Sequence, residues 1–153
     1  MTVTDARLSL RDLAPDSYRQ LLQLAGTAER AALESGLELP LLELVRIRTS
    51  QLNGCAFCLD LHTRDARRAG ETEQRLYGLS AWRDSPLFGA RERAALSLAE
   101  SITLLPRAGL PDQVYREAVE EFGEAQLALL IWVTTVVNAF NRLSVSQRLA
   151  PTG

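Results

Sequence analysis

The chain has 153 residues, 46% of them hydrophobic and 24% charged, with a net charge of -2. That length predicts one domain, residues 1–153, able to close a core without disulfide or metal staples. The acidic balance excludes a general nucleic-acid binder. All seventeen basic residues are Arg, which excludes Schiff-base or lysine-nucleophile chemistry within the chain.

Met1 to Arg7 shows no charged-then-apolar leader pattern, so a cytoplasmic protein is expected. Gly and Pro punctuate the rest into segments with helical spacing of apolar residues. A first helix is predicted from Asp16 to Ser35, opened by Pro15 and closed by Gly36. A second starts after Pro40 and stops at Asn53-Gly54, a pair suited to a helix end with a left-handed residue. A third carries Cys55 to Ala69. A fourth runs from Glu71 or Thr72 to about Trp82, and a fifth from Ala90 to Leu104. A sixth opens at Pro111-Asp112 and stops at Gly123, and the last spans Glu124 to Gln147.

No segment sustains period-two alternation, so the fold is read as all-α, a compact domain of six to seven helices. The β-branched run Val133 to Val137 lies inside a longer helical pattern. The last helix is apolar nearly all round, which places it at the centre or against another subunit and points to an oligomer. Its apolar stretch, Leu127 to Phe140, reads as too short to span a bilayer.

The chemistry concentrates in Cys55-Ala56-Phe57-Cys58-Leu59-Asp60-Leu61-His62, which holds both cysteines and the single histidine. On a helix Cys55, Cys58 and His62 share one face. A thiol attacks only as thiolate, and Cys55, following Gly54, falls in the first helical turn, where unpaired N–H groups favour an anion. Two cysteines one turn apart there can form a disulfide with little rearrangement. His62 can reach the Cys58 sulfur and accept its proton, or stabilise the thiolate as imidazolium. The plainer alternatives are that the cysteines are small buried hydrophobes and His62 an ordinary surface or core residue. Metal binding is disfavoured, since Cys55, Cys58 and His62 offer three ligands and structural zinc takes four. Glu43 sits among Leu41, Leu42, Leu44 and Val45 on the preceding helix. Partial burial would raise its pKa and fit it for proton exchange near neutrality. Without further information it reads as a solvated glutamate of the outer face.

Glu43, eleven residues, then Cys55-x-x-Cys58-x-x-x-His62 resembles the E-x11-C-x2-C-x3-H motif of the alkylhydroperoxidase D-like (AhpD-like) family, within the carboxymuconolactone decarboxylase superfamily. Ile47 to Gly54, His62 to Gly70 and Glu92 to Leu96 agree with it, and the likeness covers about residues 39–142. The resemblance implies an all-helical subunit of a homotrimer or homohexamer, and a thiol-dependent peroxidase. Cys58 would be the peroxidatic residue, oxidised to a sulfenic acid, and Cys55 the resolving one, condensing with it to a disulfide. Glu43 and His62 would form the proton relay. No bound cofactor is implied. The partners would be a hydroperoxide and a dithiol or lipoylated protein donor, with neither nucleic acid nor membrane. Phe57 departs from the pattern, standing where the best-known alkylhydroperoxidase has a second histidine, which shortens the relay. The lactone decarboxylase branch needs no C-x-x-C pair, so the dithiol argues against it. Two other readings stay open: a non-peroxidatic dithiol oxidoreductase or redox sensor, and a helical binding module with a vestigial dithiol. A pocket lined by Phe57, Leu61 and the last helix would suit an organic hydroperoxide.

Overall fold

A computed structural model describes residues 7–152 of the chain. Met1 to Ala6, read above for a leader pattern, lie outside the described residues. Among these residues there are seven α-helices, one 3-10 turn and no strand, as the spacing of apolar residues predicts.

The order is α1 (Leu10–Leu13), α2 (Pro15–Glu34), α3 (Leu39–Asn53), α4 (Ala56–Arg68), α5 (Glu73–Gly78), α6 (Ala90–Leu104) and α7 (Asp112–Gln147). The single turn α1 is an addition to the sequence reading. It forms because the Ser9 hydroxyl accepts the Asp12 N–H at 3.3 Å. The predicted fourth helix divides into α5 and a 3-10 turn, Leu79–Ala81, ahead of Trp82. The last two predicted helices are one element by hydrogen bonding but two by backbone. Gly123, at φ 70° and ψ 167°, breaks α7 where the glycine was read as a stop. That backbone region is open essentially to glycine alone.

α3 is the axis of the domain. Leu41, Leu42 and Val45 join a cluster with α2, α6 and α7 residues, while Leu44 and Ile47 join a second one with α4, α5 and Trp82. With apolar faces on two sides, α3 is buried nearly all round, and each fully covered leucine contributes roughly 2–3 kcal/mol. α7 closes the other side, burying Leu127, Leu130 and Val133. Its β-branched stretch stays helical, and the Thr134 and Thr135 hydroxyls each donate to the carbonyl four residues back at 2.7 Å.

The length argument about α7 needs correction. Over its 36 residues the helix is long and apolar enough to cross a membrane by length and composition alone. In the fold it serves as a core helix, held by α2, α3 and α6. Trp132 remains 51% exposed on it.

Candidate active site

The site is built by a helical hairpin. α3 ends where Gly54 adopts the left-handed conformation, φ 65°, and the Cys55 N–H returns to the Ser50 carbonyl at 3.1 Å. The chain reverses there, so Cys55 becomes the N-cap of α4 and its sulfur accepts the Cys58 N–H at 3.2 Å. The turn is anchored from behind. Asn53 Nδ2 donates to Asn138 Oδ1 and Asn141 Oδ1, both at 2.9 Å, and Asn141 Nδ2 donates to Ser50 Oγ at 3.0 Å. These amides tie the end of α3 to α7 and hold the cysteine turn against the core.

Cys55 and Cys58 are joined as a disulfide, with Cα atoms 5.3 Å apart. Along the hairpin, α4 runs back beside α3, and Glu43 and His62 lie at comparable distances from the turn. They meet, with His62 Nδ1 2.9 Å from Glu43 Oε2. Glu43 is 2% exposed, so the outer-face reading of this residue is wrong. It is buried because its neighbours on both sides of α3 face apolar clusters, leaving no outer face.

A buried carboxylate needs partners. Glu43 has two, His62 and the Arg46 guanidinium, whose Nη1 lies 2.5 Å from Oε1. Burial pushes the Glu43 carboxyl up, but the hydrogen bond from His62 and the charges of Arg46 and His62 outweigh it and hold the group below its ordinary value. The expectation of a raised pKa is therefore reversed, because burial on α3 comes with a cation one turn away. Arg46 also reaches Glu29 of α2, Nη2 to Oε2 2.6 Å. Glu29 escaped the sequence reading, since its pairing with Arg46 joins two helices and leaves no local pattern, whereas Arg46 stands three residues after Glu43, a helical spacing that could have flagged it.

These groups line a cavity of about 530 Å³, together with Cys58, Asp65 and Arg68. The apolar part of the lining comes from Leu22 and Ala25 of α2, Leu61 of α4, and Val133, Val137 and Phe140 of α7. Tyr18 of α2 meets Phe140 edge-on, ring centroids 6.4 Å apart. Leu61 and the last helix thus line the pocket as expected, whereas half-buried Phe57 does not. Cys55 does not line the cavity either.

Ligand atoms of Glu43, His62 and Asp65 lie within 4.8 Å of one another, a spacing a metal ion could use. Guanidinium groups already serve both carboxylates, Arg46 on Glu43 and Arg68 on Asp65 at 3.1 Å, so the negative charge is compensated within the chain.

Comparison with known proteins places this arrangement. Residues 15–101 match the model of the carboxymuconolactone decarboxylase family. The chain is 39% identical over 141 residues to the uncharacterized protein YdfG of Bacillus subtilis (strain 168), covering 92% of this chain and 93% of that one. It is also 39% identical over 64 residues to the uncharacterized protein YnjA of Escherichia coli (strain K12), covering 41% of this chain and 35% of the other. A crystal structure from Agrobacterium tumefaciens, of a protein of unknown function proposed as the antioxidant defence protein AhpD, superposes with a TM-score of 0.87. It shares 29% identity, and the match covers 97% of this chain and all of that one. Hairpin, dithiol, helical core and matched length together make this chain an AhpD-like member of the carboxymuconolactone decarboxylase family.

Proposed function

We propose that this protein is a thiol peroxidase that reduces organic hydroperoxides through a Cys58/Cys55 dithiol–disulfide cycle. The observation that carries the reading is that Cys58 and the hydrogen-bonded pair His62 and Glu43 line one cavity whose surface is mostly apolar.

In the reduced protein Cys58 attacks the terminal peroxide oxygen as thiolate. The O–O bond breaks, the sulfur becomes a sulfenic acid, and the alkoxide leaves as alcohol after taking a proton. The Cys55 sulfur then displaces hydroxide from that sulfenic acid, giving water and the disulfide. The Glu43–His62 pair is the proton relay. With Nδ1–H donated to an ionised Glu43, the other ring nitrogen takes the thiol proton and returns it to the leaving oxygen. An external dithiol, free or carried by a lipoylated protein, restores the reduced state. The apolar walls favour an organic peroxide over hydrogen peroxide, which has no carbon surface to bury there. Exposed Trp132 on α7 supports contact with further copies of the chain, in the trimer or hexamer that the family likeness implies.

The test is a single turnover. Fully reduced protein is mixed with a stoichiometric alkyl hydroperoxide, quenched and weighed by intact mass. The expected result is rapid loss of two hydrogens per chain, localised to Cys55 and Cys58. Thiols that oxidise no faster than free cysteine would overturn the peroxidase reading and favour disulfide exchange with a protein partner.

A further inference from the structure

The two sulfurs of the disulfide are not equivalent. Cys58 lines the cavity, together with His62 and Glu43. Both residues are buried, Cys55 at 1% and Cys58 at 3% exposure, but Cys55 does not line the cavity; it sits at the N-cap of α4, with its sulfur turned to the Cys58 N–H at 3.2 Å. A thiolate breaks a disulfide by in-line attack on one sulfur, expelling the other, so access and leaving-group quality decide which sulfur is attacked.

Resting on the dithiol cycle proposed above, we infer that the reducing thiol enters the same cavity as the peroxide and attacks Cys58, with Cys55 as the leaving group. The donor thiolate forms a bond to the Cys58 sulfur, and the Cys58–Cys55 bond breaks. Cys55 departs as a thiolate carrying the electron pair. It departs into a stabilising place, since a backbone N–H already points at its sulfur and the N-terminus of a 13-residue helix favours negative charge. The donor's second thiolate then attacks the donor sulfur of the mixed disulfide. That step forms the donor disulfide, frees Cys58 as thiolate, and completes a transfer of two electrons. The opposite order would require the donor to reach a sulfur that does not line the cavity.

Two consequences follow from this shared cavity. Oxidant and reductant occupy one space, so they exclude each other, and an apolar occupant blocks both half-reactions. The donor thiol must also be slender enough to enter a cavity of about 530 Å³, which a pair of cysteines on a flat protein surface is not.

The experiment uses the oxidised full-length protein and no peroxide. It is treated briefly with 2-mercaptoethanol, quenched in acid with N-ethylmaleimide, and digested with trypsin. The peptide from Thr49 to Arg64 carries both cysteines and is fragmented between them. The expected result is the mercaptoethanol adduct on Cys58 and the maleimide on Cys55, in about tenfold excess over the reverse. In parallel, the free thiol of reduced Cys55→Ser is expected to react with a 2-pyridyl disulfide about tenfold faster than that of Cys58→Ser. An n-alkyl alcohol filling the cavity should slow the first of these reactions. An adduct mainly on Cys55, the reverse order of the two variants, or no effect of the alcohol would overturn the inference. The peroxidase reading would survive that outcome, just as the exchange result would survive a failed peroxide turnover.

Discussion

His62 Nδ1 lies 2.9 Å from Glu43 Oε2, joining α4 to α3 in the lining of the cavity. The carboxylate is buried yet held in its ionised form, because Arg46 approaches its other oxygen. The arrangement orients the imidazole, and the consequences below follow from it and from its surroundings.

Replacing Glu43 by Gln keeps the size and a hydrogen-bonding oxygen but removes the charge. The rate of Cys58 oxidation at neutral pH is expected to fall by about 10²-fold, the usual scale for a proton-transfer partner. Stability should fall by about 1–3 kcal/mol, since Arg46 retains Glu29 and no charge is left unpaired. Stopped-flow oxidation and urea unfolding of the same sample check both. An unchanged rate would leave Glu43 with a structural role.

Arg46→Met removes the cation that opposes the effect of burial on Glu43. The Glu43 carboxyl should then rise, because His62 alone is left to oppose the effect of burial. The acid limb of the pH profile for Cys58 oxidation should move to higher pH in this variant, and Arg46→Lys should restore it in part. Profiles that superimpose on the wild type would show that Arg46 only ties α2 to α3.

The Glu100 carboxylate tests the sign of the pH dependence of stability away from the site. It accepts from Arg48 at 2.7 Å, Trp82 at 2.8 Å and Arg83 at 2.7 Å. Burial raises it, but these donors outweigh burial and hold it below its ordinary value of 4.5. A depressed folded-state pKa contributes stability above the unfolded value, lost as pH falls through the folded one. The urea midpoint should therefore hold above about pH 5 and decline below it. In Glu100→Gln the midpoint should be lower near neutrality and the acid decline shallower. A decline of equal steepness would assign the acid sensitivity to other carboxylates.

Leu22 of α2 lines the cavity. Leu22→Trp should narrow the chamber and lower kcat/KM for a bulky aryl hydroperoxide by about tenfold or more, on the scale of pocket discrimination. Hydrogen peroxide should be turned over at nearly the wild-type rate. Equal losses for both would mean that the cavity does not select the substrate.

The division of labour between the cysteines is open to chemical trapping. Cys58→Ser is expected to lose peroxide reduction. Cys55→Ser should accumulate a sulfenic acid that dimedone labels, since the resolving thiol is absent. Label on neither variant, with peroxide still consumed, would place the reaction elsewhere in the chain.

The helices themselves were readable from local chemistry. Pro15, Pro40 and Pro111 stand at or beside helix starts, while Gly36, Gly54 and Gly123 take positive φ at ends or breaks, so dihedral preference alone marks most boundaries. The common face of Cys55, Cys58 and His62 was equally local, because one helix carries all three. Glu43 was the instructive failure. Its neighbours on α3 are apolar on two faces, and only the packing of that helix between two clusters removes the outer face a glutamate would ordinarily take. The pairing of Arg46 with Glu29, the α2 lining of the cavity and the position of Cys55 outside that lining likewise arise from packing. Sequence by itself determined where the chain is helical and which residue types could act together, since dihedral preferences and helical period act over a few residues. Tertiary structure alone decided which charges meet, what is desolvated and which sulfur faces the cavity, because those depend on segments distant in the chain excluding water from a shared volume.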